Sequence, residues 1–170
     1  MDIIHISAEC YPAAKVGGLA DVVGALPKYQ ALMGHSATVL MPFYHVKFSR
    51  ENEFSTFFSG FARLGHTNFA FNVLKPKTNT LGYELLLIDI PGLFDRDNVY
   101  SYHDDSERFI TFQIAALNWL REREKTPDVV HCHDQHTGFI PFMMSIVREY
   151  QRFENVPTVF TIHNGQYQGQ

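Results

Sequence analysis

An α/β fold built on a Rossmann-like, mostly parallel sheet is predicted by three features of this sequence. Short apolar runs rich in β-branched residues alternate with stretches of helical periodicity. Glycine-bearing loops follow the first and last of those runs, as in doubly wound sheets. A crowded aromatic stretch in the middle breaks the alternation and reads as a β-hairpin insertion. The 170 residues suit one domain, and 45% hydrophobic with 19% charged residues is a globular composition.

Residues 3–8, Ile-Ile-His-Ile-Ser-Ala, are expected to form a buried strand whose pairing ends at Pro12. After Gly17 and Gly18, apolar residues at Leu19, Val22, Val23, Leu26, Tyr29 and Leu32 keep a spacing of three and four, so a helix follows. Pro27 is expected to kink that helix and Gly34 to stop it. Residues 37–41 read as a second buried strand and complete a βαβ unit. Residues 54–74 and a strand at 83–90, with turn residues at 79–82 between them, are expected to form hairpins. Residues 91–105 read as a surface loop. Asp104, Asp105, Ser106 and Glu107 then offer capping chemistry to a helix carrying Phe109, Ile110, Phe112, Leu117 and Leu120. The last third returns to a strand at 128–133, a helix at 138–150 and a strand at 158–162, giving helices on both faces of the sheet.

Charge and cysteine usage narrow the function classes. A formal net charge of -4 argues against a nucleic-acid binder, which normally carries a basic stripe. Cys10 and Cys132 make no C-x-x-C pair and no disulfide framework, so a reducing, cytoplasmic setting is expected. No apolar run approaches the roughly 18 residues of a membrane helix. The first residues, Met-Asp-Ile-Ile-His, lack the basic start of a signal peptide.

Residues 15–21, Lys-Val-Gly-Gly-Leu-Ala-Asp, join the first strand to the first helix, where doubly wound sheets hold phosphates. Paired glycines let backbone approach an anion, helix N–H groups point at it, and Lys15 adds a mobile charge. The loop is neither a Walker A sequence nor G-x-G-x-x-G, which disfavours a dinucleotide-dependent oxidoreductase. A tight turn with a solvated lysine is the alternative reading.

Residues 131–136, His-Cys-His-Asp-Gln-His, invite a zinc reading. Alternation along a strand puts His131 and His133 on one face, with Cys132 and Asp134 on the other if the strand continues. The candidate ligands therefore diverge, and no metal is assigned. Asp134, Gln135 and His136 instead stand where the strand ends, on the ligand edge of the sheet. His163 and Asn164 emerge likewise after the final strand. With Glu9 and Lys15, three strand ends converge on one site.

Residues 6–12, Ile-Ser-Ala-Glu-Cys-Tyr-Pro, and 15–27, Lys-Val-Gly-Gly-Leu-Ala-Asp-Val-Val-Gly-Ala-Leu-Pro, resemble the opening of bacterial glycogen synthases and plant starch synthases. His-Cys-His-Asp-Gln-His-Thr at 131–137 and Phe-Thr-Ile-His-Asn-Gly-Gln-Tyr-Gln-Gly at 160–169 are similar to two further motifs of that family, in order. The resemblance covers essentially the whole chain. It implies the N-terminal half of a GT-B fold, with residues 1–170 as one Rossmann-like domain and a second domain missing. The implied activity is retaining transfer of glucose from ADP-glucose to the non-reducing end of an α-1,4-glucan. Neither cofactor, nucleic acid nor membrane is implied, and the isolated chain is expected to be inactive without the second domain.

Carried over by motif, the resemblance implies that Lys15 lies at the donor phosphates, with Gly17 and Gly18 closing the loop on them. Asp21 matches an acidic position near that loop. His163 corresponds to the histidine at the glucosyl unit and Asp134 to the aspartate of the His-x-His-Asp motif, the two residues expected to be catalytic. On chemical grounds His163 with carboxylates such as Glu9 or Asp134 suits orientation of sugar hydroxyls and stabilisation of positive charge; Asn164 is expected to bind substrate, and Tyr100 stands for the aromatic of the preceding loop. Two departures are visible. Gln135 stands where the family usually has tryptophan, offering an amide but no aromatic platform. Gly165 and Gln166 replace a Leu-Ala pair. The competing reading is a module that binds glucan or nucleotide sugar without turnover.

Overall fold

The computed structural model describes residues 1–165. Strand β1 (Asp2–Ile6) lies between β2 (Ser36–Pro42) and β6 (Val129–His133), parallel to both. A strand so placed must be apolar on both faces. Ile4 and Ile6 are buried on one face, and His5 is buried on the other. The sheet has seven strands in the order β3-β4-β5-β2-β1-β6-β7. From β5 (Glu84–Asp89) to β7 (Thr158–Thr161) the pairing is parallel throughout.

Helix α1 (Gly18–Leu32) follows the glycine loop. The expected kink at Pro27 does not break it: the helix is assigned continuously through the buried proline. Its end is a Schellman closure. Gly34 sits at φ 88, the His35 N–H donates to the Gln30 carbonyl at 3.1 Å, and the Gly34 N–H donates to the Ala31 carbonyl at 3.0 Å. A glycine is required there because side chains disfavour that backbone region.

The expected insertion is the antiparallel hairpin β3 (Phe54–Leu64) and β4 (Thr67–Pro76), which extends the sheet beyond β5. Gly65, at φ 60, opens its two-residue turn. A five-residue helix, α2 (Lys47–Glu51), precedes it and was not expected from the sequence.

Residues 91–105 depart from the surface-loop expectation, because Leu93, Phe94 and Val99 are buried. Arg108, fully buried on α3 (Asp105–Glu122), holds them from below. Its Nε donates to the Leu93 carbonyl at 2.6 Å and an Nη to the Val99 carbonyl at 3.1 Å. A buried guanidinium needs such partners; Asp105 adds an ion pair at 2.5 Å, and Nη2 is buried without a hydrogen-bond partner among the described residues. The capping expectation fails for the same reason. Asp104 precedes α3 without a side-chain cap, since its carboxylate pairs with Arg96 at 2.6 Å.

The single helix expected at 138–150 is two pieces. Helix α4 (Phe139–Ile146) ends at Val147, whose backbone is extended, and a 3-10 segment (Arg148–Phe153) follows. The break turns the chain so that Tyr150 and Phe153 are buried, and the Tyr150 hydroxyl reaches Asn118 of α3 at 2.8 Å. Among the described residues no helix is long and apolar enough to cross a membrane.

Candidate functional site at the carboxyl edge of the sheet

Strand order reverses at β1, which leads into α1 toward β2 on one side and borders β6 on the other. The crevice beyond that reversal is where open α/β sheets bind ligands. Parallel β1, β6 and β7 send the loops carrying Glu9 and Lys15, Asp134, and His163 with Asn164 to that same edge.

Glu9 is 3% exposed, and a carboxylate buried that far needs donors. It has three. The Val16 N–H and the Gly17 N–H (3.0 Å) donate to one oxygen, and the Tyr100 hydroxyl donates to the other at 2.7 Å. Two of the amides expected to face an anion are thus held by the protein's own carboxylate. Tyr100 joins the site through Glu9, and its ring stacks on His136 at 4.7 Å between centroids. Burial, followed by the nearby Tyr44 and Glu9, pushes its phenol well above the ordinary range. His136 brings the loops together electrostatically: burial lowers its pKa, while Asp134 and Glu9 both pull it back up. Its Nδ1 is buried without a hydrogen-bond partner among the described residues.

Lys15 is half exposed and chelated by Asp21, with Nζ at 2.7 and 2.8 Å from the two carboxylate oxygens. Gly17 caps α1 with φ -136, so positive φ is not what calls for glycine here. A Cβ built at Gly17 or Gly18 meets nothing within 4 Å. Neither packing nor strain demands these glycines; what they provide is bare backbone facing open space.

Asp134 leaves β6 at φ 58 and ψ -179, a region almost reserved for glycine. Four bonds hold it there. Its N–H donates to the Thr161 carbonyl at 2.9 Å, and its carbonyl accepts from the Thr137 hydroxyl (3.0 Å) and N–H (3.1 Å). Its Oδ1 accepts the His163 N–H at 2.7 Å. The carboxylate expected to serve chemistry therefore also fixes the backbone that carries His163. This turn also ends the alternation at His133, so Asp134 does not share the Cys132 face. Gln135 is exposed on the 3-10 turn that follows, and Asn164 is exposed beyond β7.

The side chain of His163 points to a buried row of rings. His163 Nε2 is 2.9 Å from His133 Nδ1, His133 Nε2 is 3.1 Å from His5 Nδ1, and His5 Nε2 is 2.7 Å from Gln30 Oε1 on α1. His131 stacks on His133 at 4.1 Å, and its Nε2 meets the Thr161 hydroxyl at 2.7 Å. The shared face of His131 and His133 follows the expected alternation. Burial holds these rings neutral, lowering His5, taking His131 to about 4 and His133 to about 2. One ligand nitrogen from each of His5, His131 and His133 lies within 4.8 Å of the others. Both nitrogens of His5 and His133 are already hydrogen-bonded, so an ion would have to displace those bonds.

His5 and Gln30 were missed by sequence reasoning. The available signal was a polar amide at position 30 on the stripe that Val23 and Pro27 bury on α1. The motif residues at 166–169 lie outside the described residues.

A family model for the starch synthase catalytic domain matches residues 2–170. The chain is 57% identical over 169 residues to a glycogen synthase of Flavobacterium johnsoniae, covering 99% of this chain and 36% of that protein. It is 40% identical over 174 residues to a glycogen synthase of Streptococcus agalactiae, covering all of this chain and 36% of the relative. It thus spans about a third (36%) of the length of these curated relatives. Among solved structures it superposes, with a TM-score of 0.88 and 29% identity, on the catalytic domain of starch synthase IV from Arabidopsis thaliana bound to ADP and acarbose. The match covers 99% of this chain and 35% of that one.

Proposed function

The chain belongs to the starch synthase catalytic-domain family, and from that premise we propose that it supplies one wall of a retaining glucosyltransferase. The donor is ADP-glucose and the acceptor the non-reducing end of an α-1,4-glucan. A second α/β domain supplies the facing wall, so the 170 residues by themselves bind weakly and do not turn over. The cytoplasm is the matching compartment, and it suits two unpaired buried thiols.

One observation carries this reading: the open glycine loop with Lys15 and the Asp134–His163 pair face the same strand-order reversal. Departure of the nucleoside diphosphate gathers negative charge on the leaving phosphate. Lys15 exchanges Asp21 for that phosphate, and the bare backbone at Gly17 and Gly18 lets it come close. His163, hydrogen-bonded into the row of rings through Nε2, orients a hydroxyl of the glucosyl unit. Asp134 keeps His163 in place through one carboxylate oxygen. Glu9 tensions the loop through the Val16 and Gly17 amides, and Tyr100 supports Glu9. Asn164 borders the same sugar position.

The test is a chimera in which this chain replaces the matching segment of the Flavobacterium johnsoniae glycogen synthase. Transfer of labelled glucose from ADP-glucose to glycogen by the chimera, and none by the 170-residue chain, is the expected outcome. A folded chimera that binds ADP-glucose or glycogen without turnover would overturn the enzymatic reading in favour of a binding module.

A further inference from the structure

We propose that Gln30 is a positioning residue that sets, through His5 and His133, which ring nitrogen of His163 carries the proton at the sugar site. The inference begins from an asymmetry in hydrogen-bonding chemistry. An amide oxygen can only accept, and Gln30 Oε1 lies 2.7 Å from His5 Nε2. His5 therefore carries its proton on Nε2, and a neutral ring has only one. His5 Nδ1 is left as an acceptor, so the proton in the 3.1 Å contact belongs to His133 Nε2. His133 Nδ1 is in turn an acceptor, so the proton in the 2.9 Å contact belongs to His163 Nε2. Nδ1 of His163 is then unprotonated and can only accept, for instance from a sugar hydroxyl.

This order of protons holds only while every ring is neutral, because a cationic imidazole donates from both nitrogens. Burial supplies that condition for His5 and His133. His131, stacked beside them, sets no direction: its partner is the Thr161 hydroxyl, which both donates and accepts. With Oε1 turned toward His5, Gln30 presents an atom that can only accept, and it sits on α1, away from the strand ends that carry the site. Rotating its amide, or replacing it by a donor, reverses every bond in the row and turns His163 Nδ1 into a donor. That consequence for the sugar rests on the reading of His163 given above; the relay itself does not.

Nuclear magnetic resonance of the histidine-15N-labelled chain, without substrate, distinguishes protonated from bare ring nitrogens. The expected spectrum shows His5, His133 and His163 all as Nε2–H. Gln30→Glu, which also accepts, retains that pattern, whereas Gln30→Lys, which only donates, moves all three to Nδ1–H. A wild-type His163 protonated on Nδ1 would overturn the proposal without any variant having to fold. So would a His163 signal unchanged in Gln30→Lys when that of His5 has moved. In the chimera, Gln30→Lys is expected to lower kcat about tenfold to a hundredfold with little change in KM, while Gln30→Glu retains kcat. A reversed spectrum with unchanged kcat would keep the relay and remove His163 from the sugar, which separates the two failures.

Discussion

Between residues 15 and 21 the side chains facing the crevice are held loosely: Lys15 rests on a half-exposed carboxylate, and a Cβ at Gly17 or Gly18 would face open space, although buried Glu9 holds the Gly17 N–H behind them. Between residues 131 and 163 the opposite holds. Ring nitrogens are paired with one another, burial keeps His131 and His133 neutral, and a strained aspartate is fastened by four bonds. The two regions sit on the same sheet edge and have different demands. On the function proposed above, a loop that receives a charged diphosphate must have groups to give up, because an anion needs free donors. On the same proposal, a surface that orients a sugar must have its donors and acceptors assigned beforehand, because a misplaced proton turns a hydrogen bond into a repulsion.

The largest effect should come from the loose region. Lys15→Ala in the chimera is expected to lower glucose transfer about a hundredfold or more, the scale of losing one transition-state donor. The melting temperature should barely move, since an exposed ion pair contributes little to stability. Equal loss of both would mean that Lys15 is structural and would erase the contrast.

The fastened region should instead show itself in acid. The unfolded rings take up protons near pH 6.5, while the folded His133, lowered to about 2, does not. Stability is therefore complete above pH 6.5 and is lost as pH falls below it. His133 alone should cost about 2 kcal/mol at pH 5, with His5 and His131 adding in the same direction. Urea unfolding at pH 7 and pH 5 measures this, and identical midpoints would show that the row is not held neutral.

Strain at Asp134 gives a smaller and sharper test. Alanine removes the carboxylate but keeps the unfavourable φ of 58, whereas glycine removes both. Asp134→Gly should be more stable than Asp134→Ala by about 1–3 kcal/mol, reversing the usual order of these two residues. Equal stabilities in calorimetry would show that the turn relaxes.

The smallest effect belongs to Gly18→Ala. A Cβ there meets nothing and alanine favours the helix, so stability should rise by up to about 1 kcal/mol. Under the proposed function, affinity of the chimera for ADP-glucose should nevertheless fall, because the added methyl would stand on the proposed phosphate path. A rise in both would place the donor elsewhere.

Periodicity carried most of the fold. The βαβ unit at 2–42, the hairpin insertion and the strands near 84, 129 and 158 follow from local alternation of apolar residues, and Gly34 marks the end of α1 by its backbone preference alone. Local pattern also put Glu9, Lys15, Asp134 and His163 at strand ends. It failed where a distant partner outweighs the neighbourhood. Asp104 reads as a cap until Arg96 takes its carboxylate, the 91–105 loop reads as surface until Arg108 binds its carbonyls from below, and helix 138–150 breaks to bury Tyr150 and Phe153.

What the sequence determined by itself was the set of chemical groups and the edge of the sheet on which they emerge, because strand and helix periods are properties of adjacent residues. Only the tertiary structure decided which group each one meets. Gln30, His5, His133 and His163 come from α1, β1, β6 and the loop after β7, and the direction of their protons depends on contacts up to 128 residues apart in the chain. Hydrogen bonds are short-ranged and directional, so no pattern along the chain encodes them until the sheet has brought those residues side by side.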